Sequence, residues 1–348
     1  MKKFLIKLGA YSVVGTLITV VLLNLIDNFL YKISQSSYLE VATYRTNTEL
    51  ELAEEDVITL PEGAELVQFS YNNKYYAYLK DNEIHINTIE DNQEHAVVEG
   101  KNPICYYYML FDKNLILYFE KKTTGNSNTL SLKTYEIATN RTIEYNDFNV
   151  NNFSKIKDIT MSPLINIIYV NVETKTLTST NNIVYKIDLF NSMSQVRSGV
   201  LLDRIKMLQH VDRLYYQDTK GGVYNGGATI NYLFGYADVD LIGIDIDEKL
   251  YLLNTTKNDR VYVVDKGRLV DTIYLSDTDI VTTFNEYDGV YLIYPTYIMN
   301  VAGKNPYKRL AKLSKYVTFE TIKGDTVYLR TSNNKIITTT LLENKGDK

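Results

Sequence analysis

The chain of 348 residues contains no tryptophan, one cysteine, five prolines and three histidines. One cysteine rules out a disulfide framework and a cysteine-based zinc cluster. Cys105 lies in an apolar, strand-like run and reads as an inert core thiol. The three histidines, His85, His95 and His210, stand far apart, and no H-E-x-x-H, G-x-S-x-G or S-x-x-K set accompanies them. Metal-hydrolase and serine-hydrolase chemistry therefore lack their motifs. Acids outnumber bases 42 to 37, and a net charge of −5 argues against generic nucleic-acid binding. What the chain has instead is 31 Tyr and 32 Asn. Tyr favours half-buried pleated surfaces and Asn favours turns, so this is a strand-and-turn composition. The length admits two ordinary domains or one large all-β domain, with ample chain to bury a core.

The N-terminal part reads as a membrane anchor. Residues 8–26, LGAYSVVGTLITVVLLNLI, are 19 consecutive positions without a charge. At a helical rise they cover about 28 Å, close to the hydrocarbon thickness of a bilayer. Lys2, Lys3 and Lys7 precede the run and orient the N-terminus to the cytoplasm by the positive-inside rule. A cleaved signal peptide, the competing reading, expects a shorter apolar region and a small-residue cleavage site, and LNLIDNFLYK offers no A-x-A. From Ile33 to Glu65 eight acids face one base, Arg45, for a net charge of −7. An anionic leaflet repels such a segment, which suits a stalk or a solvated linker. The expected layout is a cytoplasmic tip and single transmembrane anchor over 1–32, an acidic stalk over 33–65, an outward-facing head over 66–342 and a polar tail over 343–348.

The head repeats one pattern: an apolar strand, a polar turn, a second strand rich in Tyr, Leu and Ile, another polar turn and a third alternating strand. Copies begin at Leu66 (LVQFSYNNKYYAYLKDNEIHINTI), Tyr106 (YYYMLFDKNLILYFEKK), Ile156 (IKDITMSPLINIIYVNVE), Ile205, Leu241, Val281 and Val317. Asn72-Asn73, Asp112-Lys113-Asn114, Asp247-Glu248, Asp288-Gly289 and Gly324-Asp325 fall just before the second strand of their copies, and all are turn-forming types. The copies start roughly 42 residues apart, the length of a four-stranded propeller blade. Residues 66–342 thus divide into seven blades of about 40. The pattern resembles seven-bladed β-propellers of the broad WD40-like and YVTN-like kind, in the membrane-anchored form of bacterial envelopes. The resemblance spans roughly 80% of the chain and rests on period and strand pattern. With no Trp, no blade carries a WD dipeptide or an Asp-box. The fourth copy is irregular (GGVYNGGATINYLFGYADVD), which leaves six or eight blades open, and a pair of β-sandwiches is the alternative architecture. The last copy supplies three strands, VTFETI, TVYLR and KIITTTLL, so a ring would keep an open edge. Residues 56–60, DVITL, are the expected donors of the missing strand, joining the first blade to the seventh.

Several residue groups are candidates for function. Residues 289–319 contain no acid, while Lys304, Lys308, Arg309, Lys312 and Lys315 supply five positive charges. Such a stretch suits docking of an anionic polymer, anionic lipid headgroups or an acidic protein, and equally a pairing with the acidic stalk or plain solvation. Asp238, Asp240, Asp245 and Asp247 offer a calcium reading, but the D-x-[DN]-x-[DN]-G loop is absent. Gly221, Gly222, Gly226 and Gly227 lack the G-K-[ST] and the helix of a phosphate loop, so hairpin turns account for them better. The Tyr clusters at 75–78, 106–108, 215–216 and 291–297 are either sugar-stacking platforms or packing between blades.

The sequence therefore points to a non-catalytic, extracytoplasmic binding or scaffolding module on the cell membrane. It needs no cofactor, and its partner is an envelope protein or an anionic polymer, not nucleic acid. Two alternatives stay open: a sensory or accessory subunit contacted through its transmembrane helix, and an envelope glycan or peptide hydrolase.

Overall fold

The structure, a computed structural model, describes residues 58–343 apart from 126, 163, 189–191, 287–288, 296, 303–306, 311–316, 324–325, 332 and 341. The apolar run 8–26 and the acidic stretch up to residue 57 lie outside the described residues. Among the described residues no helix is long and apolar enough to cross a membrane.

Turn chemistry sets the strand ends. Of the non-glycine residues with positive φ, eight are asparagines: Asn73, Asn82, Asn92, Asn140, Asn152, Asn166, Asn258 and Asn334. Asn enters the left-handed region because its short polar side chain bonds locally. In a chain with only 17 Gly, Asn thus carries much of the work of reversing the backbone.

The strands between these turns form seven antiparallel sheets arranged as the blades of a propeller. Blades 1 to 5 each hold four strands in sequence order. The innermost strands are Glu65–Phe69, Ile104–Met109, Phe153–Ser162, Leu202–Met207, Val239–Ile244, Thr282–Glu286 and Val317–Lys323. All but that of blade 6 carry a bulge against the second strand. A bulge bends a strand and raises its twist, which suits sheets standing edge-on around an axis.

The core lies between the blades as a series of clusters. Phe119, Leu130, Phe148, Ile156, Val170 and Tyr185, for example, join blades 2 and 3. These two blades have the longest strands, among them Leu115–Thr124, Arg141–Asn151 and Ile167–Lys175, which explains their wider spacing in the sequence. Blade 4 is reduced: its outer strands are only Val223–Asn225 and Ala228–Thr229. A single 3-10 turn, Asn231–Phe234, follows and buries Phe234, whose ring stacks on Tyr262 of blade 5 at 5.0 Å. This turn supplies apolar contact that a longer fourth strand would otherwise give.

The ring closes on blade 7, and a second late pairing falls on blade 6. Ile58–Thr59 is the outermost strand of blade 7, with Ile58 opposite Ile336 and Thr59 opposite Lys335. At the other end, Leu342–Glu343 pairs with the outermost strand of blade 6, Tyr307–Leu310, placing Glu343 opposite Arg309. Among the described residues the propeller includes residues 58 to 343, so its closing strand lies inside the segment assigned to the stalk by composition.

Candidate binding channel

All seven innermost strands run the same way around the axis and line a central cavity of about 310 Å³. An innermost strand has one paired edge, and its other backbone groups face the neighbouring blade. Side chains of adjacent blades meet these groups. Gln68 Nε2 donates to Tyr107 O at 3.0 Å, and its Oε1 accepts Met109 N–H at 2.8 Å. Thr160 Oγ1 accepts Met207 N–H at 3.2 Å. Asn285 accepts Ile244 N–H at 3.3 Å and donates to Ile244 O at 3.0 Å. The cavity wall is thus stitched by amides and hydroxyls that leave few backbone groups unmet.

Gly243 stands where Asn285 crosses from blade 6. A Cβ there would lie 2.7 Å from Asn285 Cγ and 2.8 Å from Val290 Cγ2. Gly243→Ala is expected to force blades 5 and 6 apart and to break the Asn285 clamp, costing about 1–3 kcal/mol. A lowered urea midpoint with unchanged slope would show it.

The charges in the channel are mostly paired. Glu286 pairs with Lys323, and Glu320 pairs with Arg330 Nε at 2.5 Å. Asp158 Oδ2 accepts Ile205 N–H at 3.3 Å. Burial holds the Asp158 carboxyl above its ordinary range, opposed chiefly by Lys206. Burial likewise depresses Lys206, with Asp158 opposing and Arg204 adding to the depression. Lys206 nonetheless makes neither a hydrogen bond nor an ion pair among the described residues. Tyr108 also faces the cavity, and its hydroxyl, pushed up by burial and then by Glu286, has no hydrogen-bond partner among them.

One face of the ring carries the turns from first to second strands. Phe111 and Met109 line the cavity at that end, together with Met161, Met207 and Ile244. Tyr71, Leu164, Val211 and Ile246 occupy the turns of blades 1, 3, 4 and 5, and are 46%, 56%, 46% and 48% exposed. They form an apolar collar on the face where the channel opens.

Beside the collar, Tyr169 donates to Asp212 Oδ1 at 2.5 Å, and Lys186 pairs with the other oxygen, tying blade 3 to the first turn of blade 4. Burial works against the Asp212 carboxylate, but Lys186 and Tyr169 outweigh it and hold the group below its usual range. Its folded value lies below its unfolded value, so it stabilises at neutral pH, and the contribution is lost as pH falls through the folded value. Asp212→Asn should therefore lower Tm at pH 7, with the gap to the parent closing below about pH 3.9. A gap independent of pH would contradict this.

The residues singled out from sequence are distributed as follows. Of the basic set, Lys308 and Arg309 lie in the outermost own strand of blade 6, Tyr307–Leu310. Lys304, Lys312 and Lys315 lie outside the described residues. The four acids of the calcium reading are split. Asp238 and Asp240 stand at the start of Val239–Ile244, where Asp240 accepts Gln217 Nε2 at 3.0 Å. Asp245 and Asp247 stand beyond its end, where Asp245 accepts Tyr251 Oη–H and Lys249 N–H, both at 2.8 Å. Among the described residues no group of three or more His, Cys, Asp or Glu could hold a metal. Gly221 and Gly222 form a turn with Asp218, whose carboxylate accepts Gly222 N–H at 2.8 Å and Lys220 N–H at 2.9 Å, while Gly226 and Gly227 lie in the next hairpin turn and donate to Leu214 O and Asn225 O, so these donors are already engaged.

His85 stacks on Tyr78, His95 lies 5.0 Å from the ring of Tyr75, and His210 meets Glu248. The Tyr clusters chiefly pack: Tyr76, Tyr78, Tyr107, Tyr215, Tyr216 and Tyr294 are buried. Burial pushes the Cys105 thiol up to about 12, as an inert thiol requires. Sequence reasoning missed Asp158, Lys206 and the collar. The collar had a signal, an apolar residue within the first turn of four copies, although its place in the turn shifts in blade 4.

Chains of unrelated sequence share this fold. A chain of the mitotic checkpoint complex superposes with a TM-score of 0.50 at 8% identity, over 88% of this chain and 98% of the other. Sqt1 of Saccharomyces cerevisiae is similar at a TM-score of 0.49 and 6% identity, over 80% of this chain and 83% of its own. The AfRom2 CNH domain follows at 0.44 and 10%, over 81% and 94%. No protein-family model and no characterised protein sequence matches the chain. The likeness is one of fold, a WD40-like seven-bladed β-propeller.

Proposed function

We propose that the chain is a non-catalytic scaffold that receives a partner protein on the channel mouth. The observation that carries this reading is the collar: four apolar turn residues exposed together on one face of a rigid ring. Exposed apolar groups gathered around a cavity are a common mark of protein recognition. A propeller suits the task because its turns are fixed by the sheets beneath them. The chain of similar fold in the mitotic checkpoint complex belongs to a multiprotein assembly, which agrees with such a role.

In this reading residues 8–26 anchor the ring in the cell membrane, the acidic stretch keeps it off the surface, and the head works outside the cytoplasm among envelope components. Lys304, Lys308, Arg309, Lys312 and Lys315 add a second contact for an anionic polymer or an acidic protein surface. Changing these five residues to Ser should abolish salt-sensitive binding to anionic polymer and leave the collar contact intact.

The test compares three full-length forms purified from native membranes: the parent, one with residues 4–30 replaced by an unrelated anchor, and one carrying Leu164→Ser, Val211→Ser and Ile246→Ser. The same partner should accompany the first two and be lost from the third. Loss on anchor replacement, with retention in the collar variant, would assign recognition to the transmembrane helix and overturn the proposal.

A further inference from the structure

The charged groups of the channel do not cancel. Asp158, Asp245, Glu286 and Glu320 line the cavity against only two cations, Lys206 and Lys323. Lys323 pairs with Glu286, and Arg330, outside the lining, pairs with Glu320. Lys206 and Asp158 face each other, each opposing the effect of burial on the other. Asp245 is left over. It is 3% exposed, and its carboxylate accepts Lys249 N–H and the Tyr251 hydroxyl, both at 2.8 Å. No cation reaches it among the described residues, because the Lys249 ammonium pairs with Asp247 at 3.3 Å instead. A buried charge without a counter-charge is destabilising. A carboxylate held at such a place suits a cation that arrives from outside. Its position is the collar end of the cavity, next in sequence to Ile246. Asn285 Nδ2 donates to Ile244 O and to Glu286 O, both at 3.0 Å, so one amide brings the Asp245 and Glu286 positions to the same junction of blades 5 and 6.

Resting on the docking reading above, we propose that the channel mouth takes the cationic side chain of a Lys or Arg borne on an apolar segment of the partner protein, with Asp245 as its counter-charge and Glu286 beside it. The surroundings select this group. One positive charge balances the one carboxylate left uncompensated, whereas an acid adds to the excess. Among the described residues no group of three ligands offers a divalent ion a site. The Tyr108 hydroxyl inside the cavity is held above its ordinary range by burial and then by the charges of Glu286, Asp158 and Asp112, so carboxylates of three blades converge on it. Met161, Met207, Phe111 and Phe284 give the cavity apolar walls, which suit the methylene stem of a long basic side chain, and aromatic faces attract its cation. The cavity of about 310 Å³ accommodates one such side chain with a few waters. The collar of Tyr71, Leu164, Val211 and Ile246 then covers the apolar residues flanking the base.

The test is selection of phage-displayed random peptides on the full chain in mild detergent, followed by affinity measurements on the peptides recovered. Enriched peptides should carry one Lys or Arg between apolar residues. Changing that base to norleucine, which keeps an apolar stem, should weaken binding about 30-fold or more. Asp245→Asn should weaken the parent peptide to a similar degree and leave the norleucine change with little further effect. If the Asn variant fails to fold, Glu286→Gln replaces it in the same cycle. Lys206→Met removes a competing cation and should leave the parent peptide bound as tightly as before or more tightly. Weaker binding by Lys206→Met, or peptides that need the collar but no base, would overturn this inference and leave the docking reading standing. Peptides indifferent to Leu164→Ser and Val211→Ser, or no enrichment at all, would overturn both. Butylamine or butylguanidine binding as tightly as the peptides would assign the site to a small free cation and overturn the inference.

Discussion

Ile58→Asp is expected to open the ring. Ile58 is 3% exposed and sits opposite Ile336, in a cluster with Leu60, Phe69, Tyr76 and Tyr328 that bridges blades 7 and 1. Phe69 of blade 1 stacks on Tyr328 of blade 7 at 3.9 Å within it. Losing a buried Ile side chain costs about 2–4 kcal/mol, and the carboxylate adds a desolvation penalty of a further few kcal/mol. Against a domain stability of about 5–15 kcal/mol, that leaves blade 7 with an exposed edge under mild conditions. Exposed edges pair with other chains, so the variant should elute as dimers and larger species and unfold at a much lower urea concentration. Thr59, whose side chain points outward, is the control: Thr59→Asp should stay monomeric, with stability changed by less than about 0.5 kcal/mol. Equal tolerance of both changes would contradict the closure described here.

Lys133→Met is the second large effect. Lys133 and Glu120 form an ion pair at 2.7 Å whose side chains are 6% and 2% exposed. Lys133 also reaches Glu144 at 3.1 Å, and Glu120 accepts the Asn102 backbone N–H at 3.2 Å, so the pair ties the link into blade 2 to its outer strands. Removing the lysine strands a buried carboxylate, which costs about 3–5 kcal/mol. Removing both charges in Lys133→Met/Glu120→Leu leaves only the Asn102 donors unmet and should recover much of the loss. Thermal unfolding of the two single variants and the double variant gives the coupling. Additive losses would show that the two residues act independently.

Much of the fold was legible because turns and strands write themselves locally. The polar residues at 72–73, 112–114 and 247–248 mark hairpins whether or not the blades around them are known. Ile58, Thr59 and Leu60 alternate as a strand must. The irregular text of blade 4 corresponds to its short outer strands and 3-10 turn. The pairing of Leu342–Glu343 with blade 6 had no local signal, since two residues define no period. The channel was hidden for another reason. Bulges at Cys105, Lys157, Asp203 and Ile242 reset which face each innermost strand presents. Alternation therefore cannot say whether Tyr106, Tyr107 or Tyr108 turns inward, nor that Asp158 and Lys206, 48 residues apart, line one cavity. The basic set attracted attention as a run in the sequence, whereas the channel charges come from separate blades and only the ring assembles them.

The central claim is that recognition occurs at the collar around the channel mouth. Site-specific photo-crosslinking on the full chain in its native membrane addresses it directly. A benzophenone amino acid replaces Leu164, Val211, Val270 or Leu177, one per chain. Val270, on the outermost strand of blade 5, is 54% exposed, about as much as Leu164 at 56%, and Leu177 lies at a blade 3 turn on the opposite face of the ring. Crosslinks to one common partner from 164 and 211, with none from 270 or 177, are the predicted result. A partner captured from 270 or 177 and not from the collar would contradict the account.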